Sequence, residues 1–257
     1  MFAIGSLWRS LKDVRMIRDE EFRPRLSRDE YDVVLQHRGK KGRNVLVIGD
    51  LHEPFCLDGY LEFNKRLEEK YLITDVIFIG DVIDSHYSSY HESDPDGLGG
   101  GDELELAIGK IAKWRDAFPK AKVIIGNHDR IIMRKAFTGG IPRRWIRGYK
   151  EVLDTPDWDF VESYTLDDVL YVHGEGGKAI AKTKKNMQST VCGHYHTEAY
   201  TQYVVGSNFK VFGMQVGCGI SKDTYAMAYA KHFGKPAIGS GLVLNNGSLP
   251  INVMMDL

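Results

Sequence analysis

Three apolar runs, NVLVIG (44–49), ITDVIFIG (73–80) and AKVIIG (121–126), each stop at a glycine, and each gap between them holds apolar residues at helical spacing. Tyr60, Phe63, Leu67 and Tyr71 mark a first helix, and Leu104, Ile108, Ile111 and Phe118 a second. Few folds accept this pattern. A strand that is apolar on both faces must be covered on both faces, and strand, helix, strand repetition brings consecutive strands parallel through right-handed crossovers. The chain is therefore of the α/β class, with a largely parallel sheet in its first half.

From about residue 157 the texture changes to shorter strand-like runs: FVESYTL, DVLYVHG, STVCG, FKVFGMQVGC, GLVLNNG and LPINVMMDL, with the lysine-rich amphipathic stretch GGKAIAKTKKNM between them. Ahead of the first strand, residues 1–42 read as an N-terminal helical extension, and 43–257 as the main domain. Ser27 and Glu30 are spaced as a capping box, with Leu26 and Tyr31 placed as a hydrophobic staple, so a helix is predicted to start there. HRGKKGRN is a polar connector to the domain.

With 257 residues, 43% of them hydrophobic, the chain can bury the core of one large domain. No apolar run approaches the roughly 18–20 residues that cross a bilayer, and the first residues are too charged for a secretory signal. A soluble, cytoplasmic protein without membrane partners is expected. Cys56, Cys192 and Cys218 are widely spaced and form no metal-binding pairs, so they read as free thiols. The net charge of -1 conceals an excess of Lys and Arg in the first 43 residues, which alone does not imply nucleic acid.

The informative residues stand where strands end. In order they are GDLH with Asp50 and His52, GDVID with Asp81 and Asp84, GNHD with Asn127, His128 and Asp129, VHG with His173, and GHYH with His194 and His196. Any one of these suits a polar turn or a satisfied core histidine. Five in order, each closing a buried strand, place Asp, Asn and His together at the edge where open α/β sheets bind ligands. Such a donor set without thiolates suits divalent ions such as Mn, Fe, Zn, Co or Ni.

Taken together, these motifs resemble those of the calcineurin-like metallophosphoesterase superfamily, matched element by element over about residues 44–220. The resemblance implies a four-layer fold of two facing β-sheets flanked by helices. It also implies two divalent ions, manganese being the first expectation. Asp50, His52 and His196 would bind one, Asn127, His173 and His194 the other, and Asp81 both. Two such ions about 3.5–4 Å apart can hold a hydroxide for in-line attack on phosphorus. His128 would stabilise the transition state or protonate the leaving oxygen, oriented by Asp84. Asp129 is open between a helix N-cap for RIIMRKAF and a direct role.

The protein phosphatases of the superfamily follow the second motif with Asp-Arg-Gly and end the third in Glu, whereas this chain has DSHYSS and GNHD. The resemblance is thus to a compact phosphodiesterase or nuclease branch of the kind found in bacteria and their phages. The expected activity is a phosphodiesterase acting on nucleic acid or a nucleotide. A phosphomonoesterase is the alternative and a non-catalytic scaffold the third reading. His86, Tyr87, Tyr90 and His91 could line the substrate pocket, or belong to a solvated loop. Arg130, Arg143, Arg144, Arg147 and Lys150, interleaved with Trp145 and Tyr149, suit a phosphate backbone and stacked bases, or equally a solvated helix face.

Overall fold

The computed structural model describes residues 42–90, 96–221 and 234–256. In chain order the elements are β1 (Val45–Ile48), α1 (Tyr60–Tyr71), β2 (Asp75–Phe78), α2 (Gly100–Ala117), β3 (Ala121–Ile124), α3 (Ile131–Thr138), α4 (Tyr149–Val152), β4 (Trp158–Val161), β5 (Tyr164–Leu166), β6 (Val169–Val172), α5 (Ala179–Asn186), β7 (Ser189–Cys192), β8 (Tyr200–Val205), β9 (Lys210–Gln215), β10 (Gly239–Leu244) and β11 (Leu249–Met254). Short 3-10 turns occupy His86–Ser88 and Arg143–Trp145. The helix predicted from Ser27 lies outside the described residues.

The strands form two mixed sheets, of order β11-β10-β1-β2-β3-β4 and β5-β6-β7-β9-β8. β1 to β4 are mutually parallel, as the strand and helix alternation requires, and β10 closes antiparallel on β1. In the second sheet β6, β7 and β9 are parallel.

Alternation along the first strands divides the core in two. Leu46, Ile48, Val76 and Phe78 pack with Leu67 of α1 and with Ile111 and Trp114 of α2. Val45, Val47, Ile77 and Ile79 point the other way and meet Tyr171, Val191 and Met214 of the second sheet. Each such side chain, fully removed from water, contributes about 1.5–3 kcal/mol. Phe78 also packs on Trp158 at 4.6 Å between ring centroids, and the Trp158 indole donates to Phe118 O at 2.8 Å. α5 covers the outside of the second sheet, where Gly213 of β9 lets its backbone approach at Ile180 and Thr183 Oγ1 donates to Phe212 O at 3.1 Å. The result is the expected four-layer arrangement, helices on both outer faces of two facing sheets.

Two features differ from the sequence reading. FVESYTL is not one strand: it breaks at Glu162 and Ser163, and its halves become β4 in the first sheet and β5 in the second. β8 was not expected. As an edge strand it alternates only weakly, and Tyr203 and Val205 are exposed.

Candidate active site

β1, β2 and β3 lie in parallel register, and the residues that follow them carry Asp50 and His52, Asp81 and Asp84, and Asn127 and His128. From the second sheet, the ends of β6 and β7 bring His173, and His194 with His196. Hydrogen bonds join the two sets: His173 Nδ1 donates to Ile79 O at 3.0 Å, and the His194 backbone N–H to Asp50 Oδ2 at 2.8 Å. All nine residues predicted for metal binding and catalysis therefore converge, drawn from two sheets rather than one sheet edge.

The backbone is bent to make this possible. His52, Asp81 and His194 have φ of 51°, 49° and 73°, in the left-handed region that costs a non-glycine residue about 1–3 kcal/mol. Leu51 and His52 N–H groups both donate to Asp81 O, at 3.1 and 2.8 Å, which holds the first two loops together. Glycine is required at two close approaches. A methyl at Gly126 would overlap Asp81 Oδ1 and its backbone N, and one at Gly193 would overlap Asp50 Oδ1 and Ile79.

Among the described residues three donor groups could hold a cation: one of His52, Asp84 and His128, and two that share Asp81. Ligand atoms of Asp50, His52, Asp81 and His196 all lie within 4.8 Å of one another, and so do those of Asp81, His173 and His194. Asp81 is common to both. Asn127 Oδ1 joins the second group, 2.9 Å from His173 Nε2.

The atoms fit divalent ions. Asp50 Oδ1 and His52 Nε2 are buried without a hydrogen-bond partner among the described residues, which is costly unless something else satisfies them. His52 Nδ1 is held by Asp84 Oδ1 at 2.5 Å and His173 Nδ1 by a carbonyl, so in both rings Nε2 is the atom left to coordinate. Burial lowers the pKa of His52, with help from His128, and likewise that of His194, with help from His173. Both rings thus favour the neutral form a metal ligand needs. Burial would also lower His173, but Asp81 and Asp50 override it and push the ring up to about 10. The same attraction outweighs burial at Asp81, whose carboxyl is held well below the usual range by His173. Two buried carboxylates facing one another call for positive charge.

His128 stands at the edge of these groups. Its backbone N–H donates to Asp81 Oδ1 at 2.8 Å, and its Nδ1 donates to the Asp84 backbone carbonyl at 2.7 Å. The Asp84 carboxylate is 3.4 Å from that nitrogen and bonds His52 instead. Asp84 thus stands against His128 with both groups, its backbone carbonyl taking the hydrogen bond and its carboxylate lying within ion-pair distance. Burial acts to lower the His128 pKa, and Asp81 and Asp84 more than offset it, so the net shift is upward.

Asp129 is not the cap of α3. That position belongs to Arg130, and no side chain caps the helix. The buried Asp129 carboxylate instead accepts four backbone N–H groups: Val82 and Ile83 on Oδ1 at 3.0 and 3.2 Å, Asp81 and Gly126 on Oδ2 at 3.0 and 2.8 Å. It ties the loop after β2 to the loop after β3. Burial and Asp81 push its pKa up to about 6, still low enough for the ionised form at neutral pH.

Two supports were missed in the sequence. Glu103, 1% exposed, accepts the His86 and Tyr87 N–H groups at 2.8 and 3.3 Å and so fixes the turn after Asp84. It lies four residues before Ala107 and eight before Ile111, both buried, so correct phasing of α2 would have exposed it as a buried acid. Gln215 reaches from β9 to the carbonyls of Cys192 and Gly193, before His194. A lone Gln gives no such signal.

The expected substrate contacts fare unevenly. His86 is only 4% exposed and offers no ring face to stack on a base. Arg130 is paired with both Glu162 and Glu175, so its charge is not free for a phosphate. Tyr90 is exposed, as are Arg143, Arg144 and Arg147, while His91 lies outside the described residues.

The family profile described as calcineurin-like phosphoesterase matches residues 43–202. No curated protein matches the chain. Similar solved structures include Pseudomonas putida nuclease MPE, at 15% identity over 80% of this chain and 86% of that one, with a TM-score of 0.40. The Escherichia coli phosphoesterase YfcE shares 14% identity over 83% and 100% of the two chains, with a TM-score of 0.39. Vacuolar protein sorting 29 from Cryptosporidium parvum shares 14% over 84% and 92%, with a TM-score of 0.44. At these identities and scores the likenesses carry no argument about activity. No helix among the described residues is long and apolar enough to cross a membrane.

Proposed function

The chain belongs to the calcineurin-like phosphoesterase family, and from that premise we propose that it is a dinuclear-metal phosphodiesterase acting on nucleic acid or a nucleotide. The observation that carries this reading is the sharing of Asp81 between two donor groups, with His128 bonded to the same carboxylate through its backbone. Asp50, His52 and His196 would hold one ion, Asn127, His173 and His194 the other, and Asp81 both. When bound, the ions supply Lewis acidity, acidifying water and offsetting charge on the phosphoryl oxygens.

The chain's own residues do the rest. With Nδ1 committed to the Asp84 carbonyl, His128 presents Nε2 to a substrate, the nitrogen from which a proton can pass to the leaving oxygen. The two loops clamped together by Asp129 hold Asp81, Asn127 and His128 in mutual register, which favours a reactive geometry.

Preference for a diester over a monoester rests on charge. A monoester dianion gains from a cationic side chain beside the metals. Here Ser85 and His86 follow Asp84, and Arg130, the arginine nearest in sequence to His128, is already neutralised by two glutamates. A diester, with one charge fewer, loses less by that absence.

The test is hydrolysis of bis-p-nitrophenyl phosphate against p-nitrophenyl phosphate by manganese-loaded protein, with His128→Ala alongside. Preference for the diester, lost in the variant, is expected. Preference for the monoester would replace the reading with a phosphatase, and inactivity on both with metal bound would favour a scaffold.

A further inference from the structure

We infer that the α3 segment and the turn after it form a docking surface for single-stranded nucleic acid, making the substrate a polynucleotide rather than a free nucleotide. This rests on the phosphodiesterase reading and deepens it.

The segment from Arg130 to Lys150 holds seven Lys or Arg and no Asp or Glu, in a chain whose net charge is -1. Three of the seven are answered by carboxylates: Arg130 by Glu162 and Glu175, Arg147 by Glu151, Lys150 by Asp159. Arg134, Lys135, Arg143 and Arg144 have no carboxylate partner among the described residues. These four cations are therefore open to an anion.

They are set among apolar groups that the fold leaves uncovered. Trp145 is 79% exposed, Tyr90 60% and Phe137 46%. Arg134 and Lys135 lie over the Tyr90 ring at 5.2 and 5.5 Å, and Arg143 over Phe137 at 5.8 Å. Trp145 adjoins Arg143 and Arg144 in the 3-10 turn that follows α3. Aromatic faces alternating with cations are what a strand with unstacked bases and regular phosphates requires, whereas a duplex hides its base faces.

The surface is fastened to the site at both ends. α3 begins two residues after Asp129, and its first residue, Ile131, is buried. At the far end the Tyr149 hydroxyl donates to Asp129 O at 3.2 Å and its ring stacks on Phe160. Lys135 Nζ reaches Ser89 O at 3.5 Å, in the loop that also holds Asp84. The segment that carries this surface starts two residues after His128. A mononucleotide, with its phosphate at the metals, would leave the four cations unanswered.

The experiment measures anisotropy of a labelled single strand of about 16 nucleotides, a few times the smallest site sizes known for such surfaces, bound to the full metal-free protein across a salt series. Hydrolysis by the manganese-loaded protein is followed in parallel. With four phosphates neutralised, log K should fall against log salt with a slope near about −3, and Arg143→Ala with Arg144→Ala should reduce that slope by about 1.4. Trp145→Ala should weaken binding about tenfold and Trp145→Phe should restore most of it. In both weakened variants oligonucleotide turnover should fall relative to their own bis-p-nitrophenyl phosphate turnover. An unchanged slope in the double variant, equal affinity for a duplex, or tighter binding of a poly-glutamate peptide would each overturn the proposal. If wild type binds the strand as described but hydrolyses no diester, the docking surface stands and the phosphodiesterase reading falls.

Discussion

Replacing Asp129 by Asn separates a helix cap from a clamp. Oδ1 accepts Val82 and Ile83, and Oδ2 accepts Asp81 and Gly126, all buried. In Asp129→Asn one oxygen becomes an NH2 group, so two main-chain donors lose their acceptor and face another donor. Each stranded buried donor costs about 1–3 kcal/mol, giving about 2–6 kcal/mol. Removing a buried charge returns part of this, so a loss of about 2–4 kcal/mol is expected, out of the roughly 5–15 kcal/mol that stabilises a typical domain. A helix N-cap would be worth about 0.5–2 kcal/mol. The assay is urea unfolding of metal-free protein followed by circular dichroism. With a slope of about 3 kcal/mol/M, the midpoint should drop by about 1 M. The variant should also lose metal affinity, measured by calorimetry, because Asp81 and Asn127 flank the clamped segments. A midpoint shift below about 0.3 M at unchanged slope, with metal affinity intact, would refute the clamp.

Gly126→Ala should abolish metal binding and activity, because the new methyl overlaps the Asp81 carboxylate and its backbone N; wild-type metal stoichiometry in the purified variant would contradict this. Asp84→Asn should weaken metal affinity about 10–100-fold by loosening the His52 tautomer. It should also lower the pKa of the His128 ring, which the Asp84 carboxylate 3.4 Å away helps to raise, while the hydrogen bond to the Asp84 carbonyl stays in place, and NMR of the labelled histidines reads both. Burial pushes the Glu103 carboxyl up to about 7 from an ordinary 4.5, so the folded state binds more protons than the unfolded chain between those values. Its contribution is therefore full below about pH 4.5 and lost as pH rises to about 7, by at most about 3 kcal/mol. Glu103→Gln should flatten that part of the stability profile, and an unaltered profile would count against the assignment.

Much was legible before any coordinates. β1, β2 and β3 are covered on both faces, so each reads as an unbroken apolar run, and their glycine ends are sharp because the next residues must turn toward the site. The gathering of Asp50, His52, Asp81, Asn127, His173, His194 and His196 was legible for the same reason, each standing just past the end of a buried strand. β8 and the break between β4 and β5 were not. An edge strand carries too little burial to impose a two-residue period, and a chain that changes sheets keeps its composition while reversing its partners.

The sequence determined which chemistry the strand ends carry, because residue type and order along the chain are local quantities. The tertiary structure decided how those groups are used, because hydrogen bonds between loops distant in sequence leave no local trace. Asp84 gives its carboxylate to His52 and its carbonyl to His128. Asp129 holds two loops and caps nothing. Arg130, one more cation in a basic run, is the one most fully answered by carboxylates, and it is Glu162 and Glu175, far along the chain, that make it so.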